Sequence, residues 1–170
     1  MDALDRRQAI ARRLQQSDKP LSATSLAQQF DVSRQVIVGD IALLRAGGME
    51  ISATPRGYLL PQASRGCTRT VATRHENSQM ADELNIIVDQ GCTVVDVIVD
   101  HPIYGQLTGS LNLSNRYEVS QFITSCTQHA AAPLSVLTEG IHLHTILCPD
   151  EAAFLRVQQA LRELGMLLEE

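Results

Sequence analysis

The spacing of helix ends near the amino terminus constrains the fold more than any other feature of this sequence. Apolar residues recur at helical intervals over residues 4–17, with arginines between them, until Lys19-Pro20 ends the pattern. Ser22 is a preferred N-cap residue and begins a second predicted helix over residues 23–29. The apolar residues of the first predicted helix are Leu4, Ile10 and Leu14.

A third predicted helix follows the second after a tight turn at Asp31-Val32. Ser33 is its N-cap, and it extends to about Ala46, where Gly47-Gly48 stops it. Two short helices joined by such a turn form a helix-turn-helix unit, in which the second helix is the recognition helix. The residues predicted to face inward from this helix are Val36, Ile37, Ile41 and Leu44.

The start of the recognition helix carries side chains suited to the edges of DNA bases. Arg34 can bind guanine at two positions, and Gln35 can bind adenine. Residues 51–60 then predict a β-hairpin that turns near Arg56, a wing whose tip can enter a minor groove or contact phosphate. A protein-binding module of three helices and a hairpin is the alternative. The predicted DNA-binding residues are Ser33, Arg34, Gln35 and Arg56.

The two halves of the sequence differ in charge, although the net charge is only −5. Residues 1–65 carry nine Lys and Arg against six Asp and Glu, which gives +3. Residues 66–170 carry five against thirteen, which gives −8. A basic front half on an acidic protein is expected if only that half meets phosphates.

Composition and cysteine spacing favour a cytoplasmic protein. A hydrophobic content of 44% is ordinary for a globular chain. We see no long apolar run and no signal peptide, so we expect neither a membrane span nor export. The cysteines lack C-x-x-C spacing, which favours free thiols in a reducing compartment. They are Cys67, Cys92, Cys126 and Cys148.

The polar stretch Pro61–Thr70 lacks periodicity and predicts a domain boundary. We expect a DNA-binding domain over residues 1–61 and a metal- and effector-binding domain over residues 70–170. Predicted strands alternate with helices in the second domain, which indicates an α+β fold with helices packed on a sheet as an α/β sandwich. The predicted strands are residues 70–74, 94–99, 104–111 and 141–147, and the predicted helices are residues 78–90, 117–128 and 151–164.

The last of these strands carries two histidines on one face. His142 and His144 alternate with apolar residues and a threonine, and this period of two predicts a strand. Side chains two residues apart in a strand lie roughly 7 Å apart. Two imidazoles can therefore converge on one metal ion, with each nitrogen about 2.1 Å from it. Two histidines rarely suffice for tight binding, so further ligands are needed.

His75 and Glu83 are candidates for the missing ligands. On one continuous helix they would lie about 12 Å apart along the axis and could not share a metal. Asn77 or Ser78 is a natural N-cap, however, so we expect His75 to precede the helix. A fold-back between His75 and the helix would then make a shared site possible.

Together these residues resemble the marks of a known family. His75 with Glu83, the stretch His101-Pro-Ile-Tyr-Gly105, and His142-Leu-His144 are similar to the three-histidine domain, which follows a winged helix in niacin-responsive transcriptional repressors. The segment Phe30–Arg45 also resembles the winged helices of bacterial transcription regulators.

The resemblance covers nearly the whole chain, and it implies a homodimeric repressor that binds double-stranded operator DNA of genes for NAD synthesis or niacin uptake. Nicotinic acid would be the co-repressor. Each chain would hold one divalent transition metal ion, and zinc, nickel and iron(II) all suit such ligands. The resemblance places the metal ligands at His75, Glu83, His142 and His144. It places His101 and Tyr104 beside the metal, near the effector.

Two positions do not follow the family pattern. Gly39 lies in the recognition helix where a longer, often charged residue is usual, and it costs about 1 kcal/mol of helix stability relative to Ala. His129 matches no family histidine, so we expect it at the surface or at a helix end.

The sequence thus predicts a sensor in which a metal site controls DNA binding. A pyridine carboxylate offers a ring nitrogen and a carboxylate oxygen, and either can bind a metal that has open positions. Its binding would favour the dimer whose winged helices match successive major grooves, about 34 Å apart.

Two alternatives remain: a metalloenzyme acting on a pyridine carboxylate and fused to a DNA-binding domain, and a dimerisation domain with a structural metal. No nucleophile motif or Gly-rich phosphate loop supports catalysis.

Overall fold

Serine side chains begin both helices of the helix-turn-helix unit, as predicted. In the computed structural model, which describes residues 2–61 and 66–170, the Ser22 hydroxyl accepts a hydrogen bond from the N–H of Ser25 at 3.0 Å. The Ser33 hydroxyl accepts one from the N–H of Val36 at 3.3 Å. The helices of this unit are α1 (Ala3–Gln16), α2 (Ala23–Phe30) and α3 (Arg34–Ala46).

A small apolar core holds these three helices together. Two of the residues expected to contribute to it do not: Leu4 is 58% exposed, and Val36 is 38% exposed. Both lie at the edge of an apolar stripe, where helical periodicity alone does not distinguish the interior from the rim. The buried residues of this core are Ile10, Leu14, Ala23, Leu26, Ala27, Ile37, Ile41 and Ile51.

The predicted wing is a hairpin of β1 (Ser52–Thr54) and β2 (Gly57–Leu59). Leu21 and Tyr58 exchange two backbone hydrogen bonds of 2.8 and 2.9 Å, which join the wing to the residue before the α2 cap. Gly57 has a φ of +136°, and a Cβ there would lie 2.4 Å from the carbonyl oxygen of Leu21. Only glycine allows this close approach.

The chain divides into two units, residues 1–63 and 64–170. An antiparallel four-stranded sheet forms the centre of the second unit. Its strands have the spatial order β3-β6-β4-β5, so the histidine strand β6 lies inside the sheet. Residues 67–70, expected in a linker, belong to β3; residues 62–65 of that linker lie outside the described residues. The strands are β3 (Cys67–Arg74), β4 (Thr93–His101), β5 (Gly105–Leu113) and β6 (Ile141–Cys148).

Three helices pack with this sheet around one core, which confirms the predicted α+β architecture. They are α4 (Met80–Asp89), α5 (Arg116–Gln128) and α6 (Glu151–Glu163). An unpredicted 3-10 helix, Leu134–Thr138, precedes β6. Core residues from all these layers include Val71, Leu84, Ile87, Val94, Leu113, Val119, Ile146, Val157 and Leu161.

The carboxy-terminal tail covers the free edge of β3. The N–H of Arg74 donates to the carbonyl of Met166, and the N–H of Leu168 donates to that of Ala72, both at 2.9 Å. Pairing of an edge strand in this way removes unsatisfied backbone groups from the surface. All four cysteines are free thiols, as expected. Within residues 2–61 and 66–170, every helix is too short or too polar to cross a membrane.

Candidate metal centre and DNA-binding surface

The alternation in β6 turns both of its histidines towards the helix-covered face of the sheet. His142 and His144 are buried, whereas Leu143 and Thr145 between and beside them are only half-buried. Ile146 and Cys148 continue the buried face into the core. The predicted period of two in this strand is confirmed.

His75 and Glu83 approach each other because the chain folds back between β3 and α4. His75 directly follows β3, and a 3-10 turn, Asn77–Gln79, separates it from α4, whose first turn carries Glu83. The predicted N-cap, Asn77 or Ser78, is wrong. Glu76 begins the turn instead: its carboxylate accepts from the N–H of Gln79, and its own N–H donates to the Gln79 side chain at 3.1 Å.

The carboxylate of Glu83 is the point at which the site converges. The Nε2 atom of His75 lies 2.5 Å from Oε2 of Glu83, and Nε2 of His142 lies 3.1 Å from both carboxylate oxygens. The Nε2 atom of His144 lies 3.2 Å from Oε2. The side chains of these four residues are only 1–3% exposed. The structure thus brings together the four residues predicted as metal ligands.

The other ring nitrogen of each histidine is fixed by a backbone carbonyl. A carbonyl oxygen can only accept, so each Nδ1 donates and carries a hydrogen. In a neutral imidazole the lone pair is then on Nε2, the atom that faces Glu83. The acceptors for His75, His142 and His144 are the carbonyls of Glu76, Gly140 and Asp96, at 2.8, 2.8 and 2.7 Å.

A divalent cation fits this arrangement better than protons do. A carboxylate also only accepts, so its close contacts with three Nε2 atoms require either protons or a cation between them. Three doubly protonated histidines around one carboxylate would bury a net charge of about +2, which is costly. A divalent metal bound by neutral imidazoles and the carboxylate leaves a smaller net charge, about +1. Ligands about 2.1 Å from a metal lie about 3 Å from one another.

The tightest group of ligand atoms comprises His75, Glu83 and His142, whose ligand atoms all lie within 4.8 Å of one another. His144 lies outside that group, although its Nε2 reaches Glu83. The Nδ1 of His144 is nevertheless held by a backbone carbonyl, as in the other two histidines, so that its Nε2 faces Glu83. The cluster could therefore hold a metal through three or four side chains.

Mutual charge interactions keep Glu83 ionised. Burial alone would lower the pKa of His75 and of His144, but hydrogen bonding to Glu83 and its negative charge raise both pKa values above the usual one. Burial alone would raise the pKa of Glu83, but the three histidines hold it well below the usual value. An ionised carboxylate is the form that binds a metal.

Sequence reasoning missed three residues of the site, and two of them are Thr73 and Asp96. The hydroxyl of Thr73 is fully buried and donates to Oε1 of Glu83 at 2.6 Å. Thr73 lies two residues before His75 and opposite His142 in the β3–β6 register, so strand periodicity was an available signal. Asp96 gave no such signal: it follows an irregularity in β4, and its side chain accepts from the N–H of Thr145 at 3.0 Å.

Gly140 is the third residue that sequence reasoning missed. It has a φ of +88°, and a Cβ there would lie 2.4 Å from the carbonyl oxygen of His75. The start of β6 can therefore approach His75 only because this residue is glycine. Its position directly before the histidine strand was the available signal.

The other predicted residues of the second domain lie at element ends. His101 is the last residue of β4, and its Nδ1 accepts from the N–H groups of Ile103 and Tyr104 in the following turn, at 3.1 and 3.3 Å. The rings of His101 and Tyr104 lie 5.0 Å apart, and Tyr104 is 74% exposed. Their described contacts do not include the four clustered residues, so their role stays a prediction. His129 is exposed at the end of α5, as expected.

The predicted DNA-reading residues lie at the exposed start of α3. Ser33, Arg34 and Gln35 are all exposed. Arg45 links α3 to the wing, since its Nε donates to the carbonyl of Ile51 at 2.9 Å. Arg56, at the tip of the wing, is half-buried.

Two of the arginines of α1 have a structural role. The Nε atom of Arg6 lies 2.6 Å from the carboxylate of Asp40, and a guanidinium nitrogen of Arg7 lies 3.6 Å from it. Asp40 is on α3 and is only 3% exposed. These two arginines therefore anchor the recognition helix, and the exposed arginines of α1 are Arg12 and Arg13.

Comparisons with known proteins agree with both parts of the chain. Residues 6–59 match the model of an HTH domain family, and residues 68–170 match that of the 3H domain family. A probable transcription repressor NiaR of Thermotoga maritima is 43% identical over 166 residues, which cover 98% of this chain and 95% of that protein. The transcription repressor NadR of Bacillus subtilis strain 168 is 42% identical over 170 residues, 98% of this chain and 94% of that protein.

These matches extend over both units and nearly the full length of each relative. Both relatives are named as transcription repressors, and neither is named as an enzyme. The chain therefore belongs to the family of transcription repressors that join a DNA-binding helix-turn-helix domain to a 3H domain, and not to a family of enzymes.

Proposed function

We propose that this chain is a metal-dependent repressor that responds to niacin and binds, as a homodimer, the operator DNA of genes for NAD synthesis or niacin uptake. One observation carries the metal dependence: the Nε2 atoms of three imidazoles lie within 3.2 Å of one buried carboxylate. The site belongs to a chain whose family represses transcription, which favours regulation over catalysis. The residues that would hold one divalent transition metal ion are His75, Glu83, His142 and His144.

The chain's own groups orient the ligands of that metal. The carbonyl acceptors fix each imidazole in one tautomer, and the Thr73 hydroxyl holds one oxygen of Glu83. Groups that orient ligands in this way commonly contribute 10- to 100-fold to metal affinity. A metal bound there would supply positive charge that ties the end of β3 and the start of α4 to β6.

Operator recognition would use Ser33, Arg34, Gln35 and Arg56. The exposed start of α3 suits the major groove, and the wing tip suits the minor groove or phosphate. In a homodimer, two such helices read half-sites about 34 Å apart. The effector would act by binding more tightly to the dimer arrangement that matches this spacing.

A purely structural metal is the second candidate function of the site. The burial of all four ligand side chains favours it, because a buried metal is poorly placed to meet a ligand from solvent. In that case the metal would stabilise the domain and leave the effector response unchanged.

Operator titrations in four conditions test the proposal: metal-loaded and chelated protein, each with and without nicotinate. We expect nicotinate to tighten operator binding only in the metal-loaded protein, and a tenfold gain corresponds to about 1.4 kcal/mol of coupling. An equal response in both forms of the protein would favour the structural metal. If nicotinate has no effect in either form, the chain is not a niacin-responsive repressor.

A further inference from the structure

Three of the four cysteines form a row across one end of the sheet. Cys67, the first residue of β3, is the register partner of Cys148, the last residue of β6. On the other side of β6, Thr93 pairs with Leu147, so Cys92, directly before β4, lies beside Cys148 as well. All three cysteines pack in the core on the helix-covered face of the sheet.

This cysteine row is separate from the histidine cluster. Cys148 follows His144 by four residues in the same strand, which corresponds to about 13 Å at 3.3 Å per residue. In β3, Cys67 precedes Thr73 by six residues, which corresponds to about 20 Å. The cysteines therefore share no ligand and no metal with the histidines, and the row is a site of its own.

The backbone geometry of Cys67 and Cys148 suits a disulfide. Opposed residues of antiparallel strands have Cα atoms about 4.5–5.5 Å apart, and disulfides join Cα atoms about 4.4–6.8 Å apart. The chain just before Cys67 is equally close to β6: Gly66 has a φ of +134°, and a Cβ there would overlap the carbonyl oxygen of Cys148. The pair is the last in its ladder, so the two sulfur atoms can approach while only one neighbouring pair has to adjust.

The two thiols of this pair differ in their access to solvent. Cys148 is fully buried, and burial raises the pKa of its thiol to about 12, with the thiols of Cys92 and Cys67 adding to the shift. Cys67 is only half-buried, and its S–H donates to Oε2 of Glu151 at 3.9 Å. An oxidant from solvent therefore meets Cys67 first, with Cys148 directly behind it as the second thiol.

We propose that Cys67 and Cys148 form a reversible oxidation site, which a hydroperoxide converts into a disulfide. The sulfur of Cys67 attacks one peroxide oxygen and the O–O bond breaks. The other oxygen leaves with the thiol proton, as water or an alcohol, and Cys67 becomes a sulfenic acid. The sulfur of Cys148 then attacks that of Cys67, the S–O bond breaks, and the hydroxyl leaves as water with the Cys148 proton. Two thiols thus lose two electrons, and one peroxide gains them.

The disulfide would fasten the first strand of the second domain to an interior strand of its sheet. It would add a covalent link to the β3–β6 ladder, whose other end aligns Thr73 with His142. The inference needs neither a bound metal nor the niacin response, so its failure leaves the proposed function untouched.

Disulfide mapping of peroxide-treated protein tests the proposal. The full chain is treated with hydrogen peroxide in the presence of a chelator, so that no redox-active metal takes part. Free thiols are then alkylated, and the protein is digested without reductant for mass spectrometry. We expect a peptide pair that joins Cys67 to Cys148 and is separated by dithiothreitol, with Cys92 and Cys126 recovered as alkylated thiols.

Two serine variants provide the matched comparison. Cys67→Ser should lose the cross-link, because it removes the sulfur that reacts first, and its half-buried position accommodates a hydroxyl. Cys126→Ser replaces another half-buried thiol, on α5, and should form the cross-link at the wild-type rate. The oxidised wild type should melt several degrees above the reduced protein, because the cross-link restricts the unfolded chain. This gain should be absent in Cys67→Ser.

Several results would overturn the assignment. A disulfide between Cys92 and Cys148 would show that the oxidant does not enter at Cys67. A sulfinic acid at Cys67 beside an unreacted Cys148 would show that the second thiol cannot reach the first. A melting temperature that falls on oxidation would show that the native spacing does not accommodate the bond. Unreacted thiols at peroxide concentrations that oxidise free glutathione would exclude the site altogether.

Discussion

Among the residues that the structure describes, each unit buries one carboxylate, and the two are neutralised in different ways. Asp40 in the recognition helix is 3% exposed and is paired with Arg6 and Arg7. Glu83 in α4 is 1% exposed and is surrounded by the Nε2 atoms of three histidines. An arginine is always charged, whereas a histidine is neutral or charged according to its surroundings.

The Asp40 ion pairs are a fixed element of the structure, whereas the Glu83 cluster is a conditional element. The Asp40 pair is complete within the chain, so the recognition helix is held against α1 without any ligand. The Glu83 cluster is complete only when protons or a cation occupy the space between its lone pairs. The chain thus combines a recognition helix that its own ion pairs hold in place with a buried carboxylate–histidine cluster, which the proposed function makes dependent on metal and pH.

Loss of the Glu83 charge should produce the largest effect. Glu83→Gln removes a metal ligand and the only negative charge in the cluster, so we expect metal affinity to fall by more than about 100-fold, beyond the loss seen for outer partners of ligands. Metal content measured by mass spectrometry of dialysed protein gives the answer. The matched control is Asp82→Asn, an exposed neighbour on α4, which should keep full metal content. Normal metal content in Glu83→Gln would refute the ligand assignment.

A second prediction concerns the recognition helix, which the fixed element holds in place. Arg34→Ala should weaken operator binding by about 1–3 kcal/mol if Arg34 reads a base, with an equal loss in metal-loaded and chelated protein. Fluorescence anisotropy with operator and scrambled DNA measures it. Arg12→Ala, an exposed arginine on α1, should weaken both DNAs alike. Wild-type operator affinity in Arg34→Ala would remove this residue from the recognition set.

The conditional element should respond to pH in opposite directions with and without metal. Because Glu83 raises the pKa of His75 and His144, protonated histidines stabilise the metal-free fold. That stabilisation is present below about pH 6.5, the unfolded value, and is lost as pH rises through the raised values.

Metal binding needs neutral imidazoles, so metal affinity should rise with pH over the same window, by about tenfold per pH unit for each proton displaced. Metal titrations at several pH values, with melting temperatures of the metal-free protein, measure both trends. An affinity that is flat or falls as pH rises through this window would show that the histidines are not ligands.

The smallest predicted effect concerns a glycine of the recognition helix. Gly39 is exposed, and a Cβ there would have no neighbour within 4 Å in the described structure. Gly39→Ala should therefore raise the free energy of unfolding by about 1 kcal/mol, through helix propensity alone. The melting temperature of the metal-loaded protein measures this gain. A melting temperature below that of the wild type would mean that the glycine is needed for packing.

Local chemistry made much of this fold predictable from the sequence. N-caps such as Ser22 and Ser33 act within three residues, and the alternation in β6 is a property of the strand itself. The sequence predicts the fold-back near Glu76, but the predicted N-cap at Asn77 or Ser78 is wrong. Glu76 takes the capping position instead, because its side chain and that of Gln79 form a capping box.

Contacts between distant segments were not predictable in this way. The arginines of α1 recur along a predicted helix, and only tertiary packing shows that Arg6 and Arg7 bind Asp40. Likewise, Asp96 reaches the site only through an irregularity in β4 and the β4–β6 pairing. The resemblance to three-histidine repressors named the four clustered residues, and the structure adds the hydrogen bonds that orient them.

The position of the metal in a metal-loaded crystal tests the central claim most directly. Anomalous diffraction at the absorption edge of the bound metal locates that ion without reference to the protein. We predict one site per chain, about 2.1 Å from Nε2 of His75, His142 and His144, with Glu83 as the carboxylate ligand. A metal bound through any Nδ1 atom, or at residues outside this cluster, would contradict the account.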